Sequence, residues 1–456
     1  MREGGLGAPT RHSIAWQDPD FADAAKIEAE LKRVFEICHG CRRCFNLCDS
    51  FPRLFDLIDA AADGEVDGVA PGDYGKVVEA CTLCDLCFMT KCPYVPPHAF
   101  DLDFPHLMLR ARAAGMGKGG DGALSRQMVE TDRNGELGAR VAPLANWAVD
   151  TKNHLTRPAM EKLAQIDRRA ELPKFYGKTF VMRARDAVPE LNRAAPAFGR
   201  KAALYATCFV NYNNPRIGEA LRAVLAFNGV ETEVTYPGCC GMPQFEQGDL
   251  ARVAGNAKSV ALAMKPLIDQ GYDIVALVPS CALMLKFEWP LLLPGDEDVK
   301  RLARSTFDAS EYLVDIAKKE GLAPGLKPLE GGVSVHLACH ARAQNMGPKA
   351  AEMLRLLPQT EITVIERCSG HGGSWGVKKE NFDIAIKLGK PVASQAAKSH
   401  KRHLASECPL AALHIKQGME MLGEEGHAPS QTYHPIELMA LAYGLLPAAP
   451  SNNAKS

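Results

Sequence analysis

The pattern of apolar and polar positions changes character near residue 200. Before it, apolar residues recur at helical spacing. Ala24-Ala-Lys-Ile-Glu-Ala-Glu-Leu-Lys-Arg-Val predicts a first helix, residues 104–114 a second, and residues 116–200 a run of further helical pieces. From 201 the pattern reads strand–helix–strand. Ala202-Ala-Leu-Tyr-Ala-Thr predicts a buried strand that ends at Cys208. Asn214-Pro215 is a cap followed by a first-turn proline, and it opens a helix with Ile217, Leu221, Val224 and Leu225 on one face and Gly229 at its close. A strand at 230–236 runs into Pro237-Gly-Cys239-Cys240-Gly241. A helix at 249–268 and a strand at 273–279 then lead to Ser280-Cys281.

The same order returns. Gly332-Val-Ser-Val-His-Leu-Ala leads to Cys339, a strand at 361–366 leads to Arg367-Cys368-Ser369-Gly370, and a long helix precedes His403-Leu-Ala-Ser406-Glu-Cys408. The offsets Cys208/Cys339, Cys239/Cys368 and Cys281/Cys408 are 131, 129 and 127 residues, which implies an internal duplication. Each copy is expected to bring its cysteines to the carboxyl ends of parallel strands, where open α/β sheets build their sites. Cysteines buried in a core would sit within strands rather than at their ends.

Composition narrows the classes. The chain has 456 residues, room for two to four domains, with 46% apolar and 23% charged residues, as in a soluble globular protein. Its net charge of −1 favours neither nucleic acid nor a membrane surface. The longest apolar runs, 274–285 and 438–446, are too short to span a bilayer, and no apolar signal core follows Met1-Arg-Glu-Gly-Gly. A cytoplasmic location is expected, with peripheral association at the inner face of the cytoplasmic membrane open through a partner. The basic stretch Arg168, Arg169, Lys174, Lys178, Arg183 and Arg185 reads as a solvated face, with a docking surface as the alternative. His434-Pro-Ile-Glu-Leu-Met-Ala-Leu-Ala-Tyr reads as a helix packed on the second copy, or else an amphipathic membrane foot.

Eight of the fifteen cysteines lie in two runs, Cys38-His-Gly-Cys41-Arg-Arg-Cys44-Phe-Asn-Leu-Cys48 and Cys81-Thr-Leu-Cys84-Asp-Leu-Cys87-Phe-Met-Thr-Lys-Cys92-Pro93. Three thiolates two residues apart can wrap one face of a [4Fe–4S] cube, while the fourth cysteine is carried off on the following helix to the other cube. Cys38, Cys41, Cys44 and Cys92 are therefore assigned to one cluster, and Cys81, Cys84, Cys87 and Cys48 to a second. Asp49 stands where the first run would have its proline, and the second run has four residues, not three, before its last cysteine. Paired structural zinc sites are the alternative, but triple C-x-x-C-x-x-C runs divide poorly into fours. Disulfides suit neither the spacing nor the compartment. Residues 51–58, between the runs, offer apolar cover.

In the repeats, Cys208, Cys239, Cys240 and Cys281 are enough for one further [4Fe–4S] cluster. Cys339, Cys368 and Cys408 leave one iron short, so a fourth cluster there needs His340 or His371 in place of thiolate. The loop Gly370-His-Gly-Gly-Ser-Trp-Gly376 lets backbone approach a ligand and offers N–H groups to an anion or a sulfide. It lacks the order of a dinucleotide fingerprint, so no flavin or NAD site of its own is expected.

Together the ferredoxin-type runs and the two C…CCG…C repeats resemble the iron–sulfur C-subunit of anaerobic glycerol-3-phosphate dehydrogenase. More widely, they resemble the B-subunit of heterodisulfide reductase and the iron–sulfur subunits of glycolate and lactate oxidation. Cys208-Phe-Val-Asn-Tyr-Asn-Asn-Pro215, Cys239-Cys-Gly-Met-Pro and Gly376-Val-Lys-Lys-Glu-Asn381 carry the likeness. The full family motif has five cysteines per repeat. Here Met284 stands at the fifth position of the first repeat, and Ser369 and Ala411 replace two in the second. The resemblance implies an α+β and α/β chain: 1–115 a mostly helical two-cluster ferredoxin-like domain, 116–200 a helical connector, 201–290 a first Rossmann-like CCG repeat, 291–330 a linker helix, 331–449 a second, degenerate repeat, and 450–456 a disordered tail. It also implies electron transfer between a flavoprotein dehydrogenase or other redox subunit and a quinone or disulfide acceptor, with no turnover by this chain alone. On that expectation the N-terminal pair feeds the first repeat, and the second repeat is the terminal site or its remnant. The alternatives are a thiol/disulfide reductase with an open iron at the second repeat, and a cluster-stabilised scaffold that anchors a dehydrogenase to a membrane.

Overall fold

The structure, a computed structural model, describes residues 9–117, 126–423 and 428–446. The tail expected at 450–456 and part of the glycine-rich stretch, 118–122, lie outside the described residues.

The N-terminal region packs four helices, α1 (Ala24–Cys41), α2 (Ser50–Asp59), α3 (Tyr74–Ala80) and α4 (Phe104–Ala113). Helix α1 starts at Asp23, whose carboxylate accepts the Lys26 N–H at 2.9 Å, and buries Ile27, Leu31, Val34 and Phe35. Phe35 meets Tyr74 edge-on at 5.2 Å, and Phe51 meets Phe104 at 4.7 Å, so the apolar faces share one core. The helix runs on through Cys38 and Cys41, one turn apart on one face, before Arg42 ends it at φ +49°. The fourth cysteine of each run is not on a following helix as expected. Cys48 sits in the turn before α2, where its sulfur accepts the N–H groups of Ser50 and Phe51. Cys92 follows a wide single turn, Cys87–Lys91. A sulfur that takes the orphan N–H groups at a helix start serves as its cap, which the spacing alone does not reveal.

Helices α5 (Thr131–Arg140), α6 (Ala142–Val149), α7 (Thr156–Ala164) and α8 (Phe180–Asp186) follow. Much of the basic stretch here is paired within the chain, as a solvated face would be: Arg168 with Glu161, Arg169 with Asp167 and Asp383, Lys178 with Asp186, and Arg183 with Glu219.

The first repeat holds β1 (Lys201–Tyr205), α9 (Cys208–Tyr212), α10 (Pro215–Phe227), β2 (Glu231–Thr235), α11 (Met242–Glu246), α12 (Leu250–Asp269), β3 (Asp273–Ala276), α13 (Pro279–Leu283), α14 (Trp289–Leu292), α15 (Glu297–Ser305), β4 (Thr306–Asp308) and α16 (Ala309–Lys319). The second holds β5 (Val333–His336), α17 (Cys339–Ala343), α18 (Lys349–Leu354), β6 (Ile362–Ile365), α19 (Phe382–Lys398), β7 (His403–Ser406), α20 (Pro409–Met421), β8 (Thr432–Tyr433) and α21 (Pro435–Ala442). The two sheets run in the same parallel order, β2-β1-β3-β4 and β6-β5-β7-β8. Tyr205 is in register with Thr235 and Ala276, and His336 with Ile365 and Ser406, so three strands end together in each sheet. The segment expected as a linker helix supplies α15, β4 and α16. The three residues of β4 are too few to show alternation.

The membrane-foot alternative is overturned: Ile436, Leu438, Met439, Ala440 and Ala442 are all fully buried, and α21, expected on the second copy, packs most on α10 of the first repeat and less on α18 of the second. A helix apolar on all sides belongs inside. Among the described residues no helix is long and apolar enough to cross a membrane.

Candidate functional site

All fifteen cysteines are free thiols, and the fold gathers them into four groups. In the first, Cys38, Cys41, Cys44 and Cys92 line a pocket together with Phe51, Phe55, Tyr94 and Leu102. Burial, then the nearby charges of Cys92, Cys44 and Cys41, pushes the Cys38 thiol up; burial, then Cys92 and Cys41, pushes Cys44 up to about 12. In the second, Cys48 is raised by burial, then by Cys84 and Cys81, and Cys87 by burial, then by Cys84, Cys81 and Cys48. Each run thus gives three cysteines to one group and one to the other. Around Cys84 the backbone is strained: Leu83 and Asp85 hold φ at +46° and +61°.

In the first repeat the strand ends deliver Cys208, Cys239, Cys240 and Cys281. Cys208 follows Thr207, a non-glycine residue at φ +55° whose hydroxyl accepts the Val210 N–H at 3.2 Å. Sulfurs of Cys208 and Cys239 are 4.0 Å apart, and those of Cys240 and Cys281 3.2 Å. Cys239 is held well below the ordinary thiol range by bonds from Cys208 and Cys240, then from the Thr131 hydroxyl and the Gly241 N–H, both at 3.4 Å. Asp132 accepts the Cys239 N–H at 3.0 Å and the Tyr236 hydroxyl. The start of α5 therefore walls this site. Sequence reasoning missed this wall, because residues 116–200 carry no cysteine; the one signal was that Thr131 and Asp132 are residue types common at a helix start, and they form its first turn.

The second repeat repeats this geometry with fewer thiols. The Gly370 N–H donates to Cys368 Sγ at 3.3 Å, as Gly241 does to Cys239. His336 stands where Tyr205 does. Tyr205 donates its hydroxyl to the Gly238 carbonyl at 2.6 Å, and His336 Nε2–H donates to the Arg367 carbonyl at 2.9 Å. Since a carbonyl only accepts, His336 Nδ1 accepts from Ser406 Oγ at 2.9 Å, and Ser406 takes the Cys408 N–H at 3.3 Å. These bonds lock together the strand ends that carry Cys339, Cys368 and Cys408. Of the two candidate imidazoles, His340 donates Nε2–H to the Leu83 carbonyl at 3.3 Å. The buried Nε2 of His371 has no hydrogen-bond partner, and burial holds that ring down at about 3, so it is neutral.

A cysteine-rich domain family, CCG, matches residues 202–286 and 333–416. The chain is 28% identical to the C-subunit of anaerobic glycerol-3-phosphate dehydrogenase of Escherichia coli K12 over 318 residues, 68% of this chain and 75% of that one. It is 30% identical to lactate utilization protein A of Geobacillus kaustophilus over 191 residues, 39% of this chain and 75% of the relative. The chain belongs to the CCG cysteine-rich family. The B-subunit of fumarate reductase (CoM/CoB) of Methanothermobacter marburgensis, 30% identical over 54% of this chain and 47% of its own length, is a further relative. By name, two of these relatives are subunits, one of a dehydrogenase and one of a reductase.

In this CCG protein the donor set points to a group larger than one ion. Among the described residues no three His, Cys, Asp or Glu converge on a single metal position. Tetrahedral zinc would need four sulfurs about 3.8 Å apart, given Zn–S bonds of about 2.3 Å. The first group instead lines a pocket, and its buried thiols oppose one another's ionisation, so several positive charges at the centre would stabilise them. A multi-iron group fits this first group; in the first repeat the Cys208–Cys239 and Cys240–Cys281 sulfur separations of 4.0 and 3.2 Å lie closer to the zinc spacing.

Proposed function

We propose that this CCG protein is an iron–sulfur electron-transfer subunit of a larger oxidoreductase. The observation that carries the reading is the arrangement of fifteen thiols in four groups, with a pocket at the first. When bound, iron–sulfur groups supply one-electron chemistry that forms no bond to a substrate. Cys38, Cys41, Cys44 and Cys92 would hold one [4Fe–4S] cluster in a ferredoxin-like N-terminal region, Cys48, Cys81, Cys84 and Cys87 a second, and Cys208, Cys239, Cys240 and Cys281 a third. The Gly241 and Gly370 N–H groups at sulfur, with the apolar walls around them, would tune potential and exclude water.

The relatives' names as subunits support a partner, which we take to be a flavoprotein dehydrogenase or another redox subunit, with a quinone or disulfide-type acceptor. Leu144, Trp147, Leu155 and Leu163 are exposed on and around α6 and α7 and give such a partner an apolar face to cover. Any association with the inner face of a membrane would come through that partner.

A second reading, a thiol/disulfide reductase, rests on the second repeat: three thiols beside the unpartnered His371 Nε2 leave a coordination position for a small oxidant or for that imidazole. An anaerobic EPR redox titration separates the two. Signals that shift when a small disulfide is added support the reductase; several one-electron signals indifferent to it support electron transfer.

A further inference from the structure

The four cysteine groups have an order in space that differs from their order in the chain. The second N-terminal run lies directly against the second repeat. Its Leu83 carbonyl accepts from His340, the residue after Cys339, at 3.3 Å. Its Thr82 methyl sits so close to Gly372 that a Cβ there would come within 2.9 Å of it. Cys84 follows these two contacts directly. These contacts set Cys84 beside the segments that carry Cys339 and Cys368. On its far side the second repeat meets the first: α17, which starts at Cys339, packs on α13, which carries Cys281.

We infer that electrons leave the N-terminal groups at Cys84, enter the repeats at Cys339 and Cys368, and go on to the first repeat across the α17–α13 contact. The second repeat, short of thiolates, is then an intermediate station rather than the terminus. The exit is the first repeat, walled by Thr131 and Asp132. The strained φ values at Leu83 and Asp85 hold Cys84 toward the second repeat, and Arg11 clamps Asp85 in that position through two bonds of 2.9 Å. Each step is a one-electron exchange. Iron held by Cys48, Cys81, Cys84 and Cys87 would be oxidised and iron held at the second repeat would be reduced by the same electron, with no bond or proton changing place. The electron originates in a reduced partner such as a flavoprotein. The inference rests on the iron–sulfur reading above.

The test is EPR of the anaerobic, dithionite-reduced full-length protein, with iron counted on the same samples. The signal of the second N-terminal group should be split by a neighbouring paramagnet. In Cys368→Ala/Cys408→Ala, with loss of iron, the part of the splitting due to the second repeat should vanish, leaving only the coupling to the first N-terminal group, whereas both should persist in Cys208→Ala/Cys240→Ala. If the first double variant does not fold, Cys368→Ser alone is read in the same way. Splitting that disappears with the first-repeat thiols and survives loss of the second-repeat thiols overturns the route. So does a second-repeat variant whose iron content and spectrum match the parent. Absence of iron from the parent protein would instead overturn the iron–sulfur reading itself.

Discussion

Arg11 offers the sharpest test of how the N-terminal region is held on the first repeat. Its guanidinium grips Asp85 with two bonds of 2.9 Å, Asp103 at 2.7 and 3.1 Å, and Glu288 at 3.2 Å, and lies 4.4 Å from the Phe88 ring centre. His106 closes the network on Glu288 at 3.0 Å. The side chains of Arg11, Asp85 and Glu288 are 11%, 5% and 2% exposed, so the network is out of bulk water. Replacing Arg11 with Met keeps the apolar stem and strands three carboxylates beside one imidazole. Breaking a buried pair in this way costs about 3–5 kcal/mol. Burial opposes ionisation of Asp103, yet His106 and then Arg11 hold it down at about 2. Its folded value thus lies below its unfolded one, so its contribution is complete above about pH 4 and is lost as pH falls toward 2. Without Arg11 these carboxylates can relieve their repulsion by taking protons. The destabilisation should therefore be larger at pH 8 than at pH 5. Urea titrations of parent and Arg11→Met at both pH values measure this. A loss below about 1 kcal/mol, or the same loss at both pH values, refutes the argument.

Three further outcomes follow from the second repeat. Burial depresses His336 to about 4, below its unfolded value, so the unfolded chain takes up the proton first. Stability should fall by up to about 3 kcal/mol as pH drops from about 6.5 to about 4, and His336→Gln should flatten that part of the stability–pH curve. Gly370 sits at φ +78°, and a Cβ there would lie 2.1 Å from the Ala385 carbonyl oxygen and 2.7 Å from Gly389 N. Gly370→Ala should cost about 2 kcal/mol or more and expose the second repeat to limited proteolysis, leaving the N-terminal region resistant. Ser369→Cys recreates the pair seen at Cys239–Cys240 and should raise the iron retained per chain on anaerobic gel filtration; an unchanged count contradicts that placement of Ser369.

The strand-end cysteines were legible because parallel strands buried on both faces read as short apolar runs, and the near-constant offsets marked the duplication. In the N-terminal runs C-x-x-C spacing constrains where three sulfurs of each can point, but not the fourth: Cys48 and Cys92 do not ride on a following helix. Other features left no local trace. Strands β4 and β8 are three and two residues long, below any periodic signal. Thr131 and Asp132 reach the first-repeat site from a region without cysteine. The Leu83–His340 contact, which sets Cys84 against the second repeat, joins segments 257 residues apart. The terminal helix could be read two ways from its sequence, and only packing on α10 decided between them.

The most direct test of the central claim is the amount of iron and acid-labile sulfide in the protein purified without oxygen. Three occupied cubes predict about twelve irons and as many sulfides per chain, with a further increment if the second repeat is loaded. A folded, colourless protein with neither iron nor sulfide, or with zinc alone, would contradict the account.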